Sequence, residues 1–327
     1  MVLTTPLLQS LAARGPVDVV ATPASAPLLA HHPAVRDVLV YNKRGADRGM
    51  LGMTRMARRL RANGYRSAYL AQGSVRSGAI TRLAGIPERI GFTGSAGRAF
   101  YTHRVTPFEN MHHAARLLAL DVGPEAASAR PLRPTLHPGA KEAAAADSFL
   151  AAAGVQPGEL LIALAPGSVW ATKRWPHFAE LARALSGSHA GARVVVLGSD
   201  ADSVLAQAIV SATEGTGVSA TGALSLLESA ALLSRCALLV TNDSLPLHLA
   251  SALNVPTVAV FGPTVPEFGF GPLAEQSLVA GRTDLACRPC HPHGPARCPL
   301  GHWRCMREIT ADYALTLVRD LLTPDTL

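Results

Sequence analysis

The stretch Leu238–Thr264, LLVTNDSLPLHLASALNVPTVAVFGPT, constrains the chain more than any other. Leu238 to Thr241 is a short apolar run of the kind a buried parallel strand needs. Asn242, Asp243 and Ser244 are turn and N-cap residues. Pro246 is tolerable only in a helix's first turn, so it fixes where a helix starts. Leu245, Leu249 and Leu253 recur at helical spacing, Asn254 and Pro256 end the helix, and Thr257 to Phe261 is the next buried strand. The loops at Asn242–Ser244 and Gly262–Thr264 then lie at the carboxyl ends of parallel strands, the edge where open α/β sheets bind ligands. A helix N-terminus there suits a phosphate or diphosphate.

The rest of the chain repeats this alternation. Helical patterns over 1–14, 51–62, 77–83 and 110–120 are interleaved with strand patterns over 17–21, 35–41, 67–71 and 89–92. This predicts an α/β fold with a parallel sheet and helices on both faces. A βαβ domain normally begins with a strand, yet this chain opens on a helix. Composition shifts to Pro and Ala between Gly123 and Gly158, which places a boundary there: domain one over 1–150, domain two over 151–327. In the second domain, strand patterns at 160–165 and 193–197 and helical patterns at 175–185, 201–213 and 224–236 lead into the opening unit. A final helix covers 309–322. A length of 327 residues with 48% hydrophobic content supplies two cores.

A net charge of +7 fits an arginine-rich proteome or affinity for anionic substrates and membrane faces. No apolar run approaches a membrane span, no secretory pattern opens the chain, and no nucleic-acid module is visible.

Five constellations could carry chemistry. In LIALAPGSVWATKRWP, an apolar strand runs into Pro166-Gly167-Ser168, with Thr172, Lys173 and Arg174 at the same strand end. An ordinary βα loop with surface charges is the bland alternative; Lys173 beside the Asn242–Ser244 turn is the stronger joint signal. His248, five residues after Asp243, projects near the N-terminal end of its helix, either toward a diphosphate or sugar oxygen or as a satisfied helix histidine. Asp202, just past a strand, either bonds ribose hydroxyls or caps the next helix. Cys287, Cys290, Cys298 and Cys305, interleaved with His291, His293 and His302, either hold a structural zinc or are packing thiols or adventitious disulfides. Arg55, Arg58, Arg59 and Arg61 form a basic helix face, solvated or anion-binding.

Taken together, APGSVWATKRWPHFAELA, VTNDSLPLHLASALNVPTVAVFGPT, CRPCHPHGPARCPLGHWRCMREIT and MVLTTPLLQSLAARGPVDVV resemble glycosyltransferase family 9, the heptosyltransferases, and most closely those of heptosyltransferase II type. The resemblance covers nearly the whole chain. It implies a GT-B architecture: two Rossmann-like parallel-sheet domains facing a cleft, the last helix packing back on the first domain. It implies an inverting transfer of heptose from ADP-L-glycero-D-manno-heptose to the lipopolysaccharide inner core, with no metal cofactor required for catalysis. The implied setting is the cytoplasm, peripheral to the anionic inner membrane face, as a monomer. By position, Ser168, Thr172 and Lys173 would meet the donor phosphates; Asp243, Ser244 and His248 would line the diphosphate and heptose; Asp202 would match the ribose contact. Lys173 and Asp243 would carry the catalytic electrostatics, and Arg55, Arg58, Arg59 and Arg61 would meet acceptor phosphates.

The sequence departs from the family pattern twice. Leu245 stands where the family has glycine, so it either fits a normal helical first turn or crowds the phosphate. Family members also begin with a strand ending in Gly-Asp, whose aspartate is the proposed general base. Met1 stands where the residue after it should be, as either a start assigned downstream of the true one or a truncated, inactive or differently catalysed protein would give. Competing functions are a same-fold transferase with another nucleotide sugar, a non-catalytic ADP-sugar binder, and a structural partner in an envelope-assembly complex.

Overall fold

A computed structural model describes residues 1–130, 132–188 and 192–322. The chain forms two compact units, residues 1–137 and 138–327.

The first unit opens on a 3-10 turn, Val2–Thr4, that runs into α1 (Thr5–Ala12). The Thr5 hydroxyl donates to Val2 O and accepts from Thr135 N, pinning this turn to the end of the unit. There follow β1 (Asp18–Ala21), β2 (Asp37–Val40), α2 (Gly49–Ala62), β3 (Ser67–Leu70), α3 (Val75–Leu83), β4 (Glu88–Phe92), β5 (His103–Val105), α4 (His113–Val122) and α5 (Pro124–Ser128). All pairings are parallel, as the alternation predicts. They make two sheets, however, β1-β2 and β3-β4-β5, and among the described residues no strand bridges β1 to β3. Leu39, Met56, Leu60, Ile80 and Ile86 form one core cluster, and Leu7, Ile90 and Leu120 another.

The second unit begins earlier than composition implied. Helix α6 (Ala140–Ala152), expected in the first domain, belongs to it and packs on α9 (Leu226–Leu233). The remaining elements are β6 (Leu160–Ala165), α7 (Phe178–Ser188), β7 (Ala192–Val196), α8 (Ser203–Ser211), β8 (Val218–Ser219), β9 (Leu238–Asn242), α10 (Leu245–Leu253), β10 (Thr257–Phe261), β11 (Ser277–Gly281), α11 (Arg304–Arg307) and α12 (Ala311–Leu321). Its strands make one parallel sheet in the order β11-β10-β9-β6-β7-β8. β6, β9 and β10 are buried almost throughout, which is why their sequences are continuous apolar runs and not alternating ones.

Helix α10 ends on Asn254 in the left-handed conformation, a C-cap that asparagine tolerates better than most residues. Within this unit the final helix packs on α7 and on the β9-β10-β11 side of the sheet, burying Ala314, Leu315 and Val318. The Trp175 indole Nε1 donates to Ile309 O at 2.7 Å and ties the start of that helix to the entrance of α7.

Candidate active site

Renumbered from β6, the second sheet reads 3-2-1-4-5-6, and its topological switch point lies between β6 and β9. There adjacent strands run on to opposite sides of the sheet, which leaves a crevice at their carboxyl ends. Two of the constellations singled out in the sequence of this unit exit there: Pro166–Lys173 after β6, and Asp243–Ser244 after β9.

Asn242 holds the two exits together. It is fully buried at the last position of β9; its Oδ1 accepts from Trp175 N at 3.0 Å and its Nδ2 donates to Pro166 O at 2.8 Å. The sequence places it as a turn residue; the structure makes it a cross-strand staple. One residue on, Asp243 Oδ2 accepts from Lys173 Nζ at 2.9 Å and from Thr264 Oγ1 at 2.8 Å. Lys173 and Asp243 are both buried, so each charge depends on the other for compensation. The exits of β6, β9 and β10 thereby converge on one carboxylate oxygen.

The other predicted donor-side residues gather less evenly. Ser244 is the N-cap of α10 but makes no side-chain cap bond, and among the described residues its buried hydroxyl has no hydrogen-bond partner. Leu245 is the first residue of α10 and 43% exposed, so it fits a normal first turn and turns its side chain to solvent. The His248 ring lies 6.3 Å from that of Phe270, centroid to centroid. Ser168 is half-buried, and its carbonyl accepts from Arg174 Nε at 2.9 Å.

Asp202 makes no side-chain cap bond to α8; it closes the 3-10 turn Asp200–Asp202 that precedes it, its Oδ2 accepting from Ser199 N at 2.9 Å and Ser199 Oγ at 2.8 Å. It also abuts Gly167, where an added Cβ would meet Oδ1 at 2.5 Å, so only glycine lets the first loop approach it. The Thr172 hydroxyl donates to Pro295 O at 2.5 Å.

That last bond shows what sequence reading missed: the cysteine-bearing segment is part of this site. Gly294, at φ +81°, lies against the Lys173 side chain, and Cys290 N donates to Pro263 O at 2.9 Å. Arg288 Nη2 donates to Phe261 O at 3.0 Å and Thr264 O at 2.9 Å. All the cysteines are free thiols. Cys287 Sγ stands 3.9 Å from His302 Nε2, and Cys290 Sγ donates to Cys287 O. Burial pushes the Cys305 thiol up to about 11. Burial raises Cys298 as well, but the backbone N–H groups of Trp303, Leu300, Gly301 and His302 outweigh it and the net shift is downward. Among the described residues no three Cys, His, Asp or Glu side chains are gathered so as to hold a metal ion.

The arginines of α2 lie in the first unit. Arg61 Nη2 donates to Leu83 O at 2.5 Å, satisfying a carbonyl at the C-terminus of α3, and Arg55 lies 3.6 Å from Asp47. Arg58 and Arg59 are exposed. Among the described residues no helix is long and apolar enough to cross a membrane.

A doubly wound parallel sheet with an ammonium group, hydroxyls and a helix N-terminus at its switch point is the arrangement at which open α/β sheets take their ligands. A family model described as glycosyltransferase family 9 (heptosyltransferase) matches residues 53–300. The chain is 30% identical over 283 residues to lipopolysaccharide heptosyltransferase 2 of Escherichia coli, covering 82% of this chain and 81% of that one. It is 28% identical over 344 residues to lipooligosaccharide heptosyltransferase 2 of Haemophilus influenzae, covering 98% and 96%. The solved structure of E. coli ADP-heptose heptosyltransferase II superposes with a TM-score of 0.82 at 26% identity, covering 100% of this chain and 96% of that one. A second E. coli heptosyltransferase, solved with ADP, shares the fold at a TM-score of 0.71 and 22% identity, covering 98% and 95%. The chain belongs to glycosyltransferase family 9, and its two Rossmann-like units are those of the GT-B fold.

Proposed function

We propose that this chain is an inverting heptosyltransferase that moves heptose from ADP-L-glycero-D-manno-heptose to a heptosyl-Kdo2-lipid A type acceptor of the lipopolysaccharide inner core. The observation that carries this reading is the Lys173–Asp243–Thr264 group at the switch point of the second sheet, in a chain whose relatives are named lipopolysaccharide and lipooligosaccharide heptosyltransferase 2. An acceptor hydroxyl attacks the anomeric carbon from the face opposite the diphosphate. Charge builds on the leaving ADP as the bond breaks. Lys173, the Ser244 hydroxyl and the N-terminus of α10 supply preorganised positive charge and donors for it. Asp243, already accepting from Lys173 and Thr264, holds the ammonium in place and is not the base that takes the acceptor proton. Asp202 faces the ribose from the neighbouring exit. Thr172 serves through Pro295, by holding the loop that covers Lys173.

No metal ion is needed in this scheme. Arg55, Arg58 and Arg59 are assigned to acceptor phosphates and to the anionic inner membrane face, where the protein works as a peripheral cytoplasmic monomer. Arg61 is already engaged with the end of α3.

The test is direct. Purified protein is incubated with ADP-heptose and heptosyl-Kdo2-lipid A, and the acceptor is followed by mass for the gain of one heptose and by NMR for inversion at the anomeric centre. ADP binding without transfer to any acceptor would replace this reading with that of a non-catalytic ADP-sugar binder. Transfer only from another nucleotide sugar would keep the class and change the donor.

A further inference from the structure

The loop that leaves β10, Gly262-Pro263-Thr264, contributes one group to the candidate site, the Thr264 hydroxyl on Asp243 Oδ2. A loop of this kind holds a hydroxyl in place only if its own backbone is fixed. Its carbonyls lie at the buried end of a sheet, where unpaired acceptors are costly. One side chain supplies the donors. Arg288 Nη2 donates to Phe261 O at 3.0 Å and Thr264 O at 2.9 Å, before and after the turn, and Nη1 donates to Arg282 O beyond β11. Cys290 N adds a bond to Pro263 O at 2.9 Å. Arg288 thus braces both ends of the turn from the neighbouring strand's exit, and Thr264, Asp243 and Lys173 follow in an unbroken line of contacts.

We propose that Arg288 is a positioning residue for the donor site: it fixes the 262–264 turn so that Thr264 holds Asp243, and Asp243 holds Lys173, where the leaving diphosphate gains charge. The inference rests on the donor-site reading above. Only a planar, always charged fork serves carbonyls in these separate directions at once; a lysine ammonium in the same place lacks the fixed geometry. A purely architectural arginine would also join β10 to β11. That alternative makes a different prediction, because a staple alters the fraction of folded protein and not the affinity of what is folded.

The experiment uses the full chain and ADP as the probe. Calorimetric titration gives the ADP Kd, and steady-state rates give donor and acceptor KM. Wild-type protein is expected to bind ADP. Arg288→Gln and Thr264→Val are each expected to weaken ADP and raise the donor KM on the order of tenfold, the worth of one hydrogen bond to a charged group, with acceptor KM unchanged. Arg288→Lys is expected to recover only part of that loss. A lower active fraction with unchanged ADP Kd and donor KM in Arg288→Gln would overturn the proposal. If Arg288→Gln does not fold, Thr264→Val decides, and wild-type ADP affinity in that variant overturns it. Wild-type protein that binds no ADP would instead sink the donor-site reading itself, and this inference with it.

Discussion

Lys173 Nζ and Asp243 Oδ2 stand 2.9 Å apart although 70 residues of sequence separate them, and each side chain is only 11% exposed. The pair joins the exit loops of the two strands that flank the switch point. Its geometry fixes where positive charge is available in the site, and its burial makes each partner expensive to remove alone.

Lys173→Ala is therefore expected to lower transfer on the order of 100- to 1000-fold, the range for loss of one preorganised electrostatic contact. It is also expected to cost roughly 3–5 kcal/mol of stability, because Asp243 is left buried and unpaired. Lys173→Met with Asp243→Asn should recover most of the stability and none of the activity. Initial rates and urea unfolding separate these effects, and near-normal turnover in Lys173→Ala would remove the lysine from the mechanism.

Asn242→Ala should destabilise the second unit more than its size implies. The variant strands a buried N–H at Trp175 and a buried carbonyl at Pro166, a loss of roughly 2–4 kcal/mol for the two groups together. Urea denaturation reads this directly; a change within about 0.5 kcal/mol, ordinary for a surface site, would show that the staple is not needed.

His113 gives the first unit a dependence on pH. Burial, followed by the charges of Arg116 and His112, lowers its pKa from 6.5 to about 4. Between these values the unfolded chain binds a proton that the folded chain does not. Its neutral burial therefore costs nothing above pH 6.5, and stability falls as pH drops from 6.5 toward 4, by up to about 3 kcal/mol. Unfolding free energies measured across that interval for wild type and His113→Gln should diverge at the acid end, the wild type losing more. Parallel curves would refute the assignment.

Transfer is expected to continue in excess chelator, because Lys173 and the N-terminus of α10 supply the charge that a divalent ion supplies in other transferases. Rates measured with EDTA and with added magnesium should agree. A rate lost to chelator and restored by magnesium would place a metal in the reaction.

Much of this was legible in the sequence. The strand–helix–strand unit at 238–261 could be read because proline and asparagine punctuate it, and because its strands are buried on both faces and so uniformly apolar. Lys173 and Asp243 stood out as charges at strand ends. Lys173 beside the Asn242–Ser244 turn was legible too; the direct bond to Asp243 was not, since it depends on side-chain geometry at the two strand exits. Thr264 and Arg288 went unassigned for the same reason: their bonds cross from β10 to β9 and from the cysteine segment to β10. Helix α6 was passed over because its alanine run carries no apolar–polar contrast, so a strong helix former looked like a linker. β5, His103-Arg104-Val105, is too short and polar to resemble a strand. Gly294 and Pro295, in the cysteine segment, lie against Lys173 and Thr172 through contacts between segments distant in sequence, which spacing alone does not show.

The switch point has a consequence for synthesis as well as for binding. β6 and its lysine leave the ribosome well before β9 and its aspartate, and the intervening β7 and β8 lie on the far side of β6. A nascent chain that has already displayed Lys173 has no partner for it until a long loop closes and β9 docks. The carboxylate that compensates Lys173 is therefore among the last parts of the site to arrive.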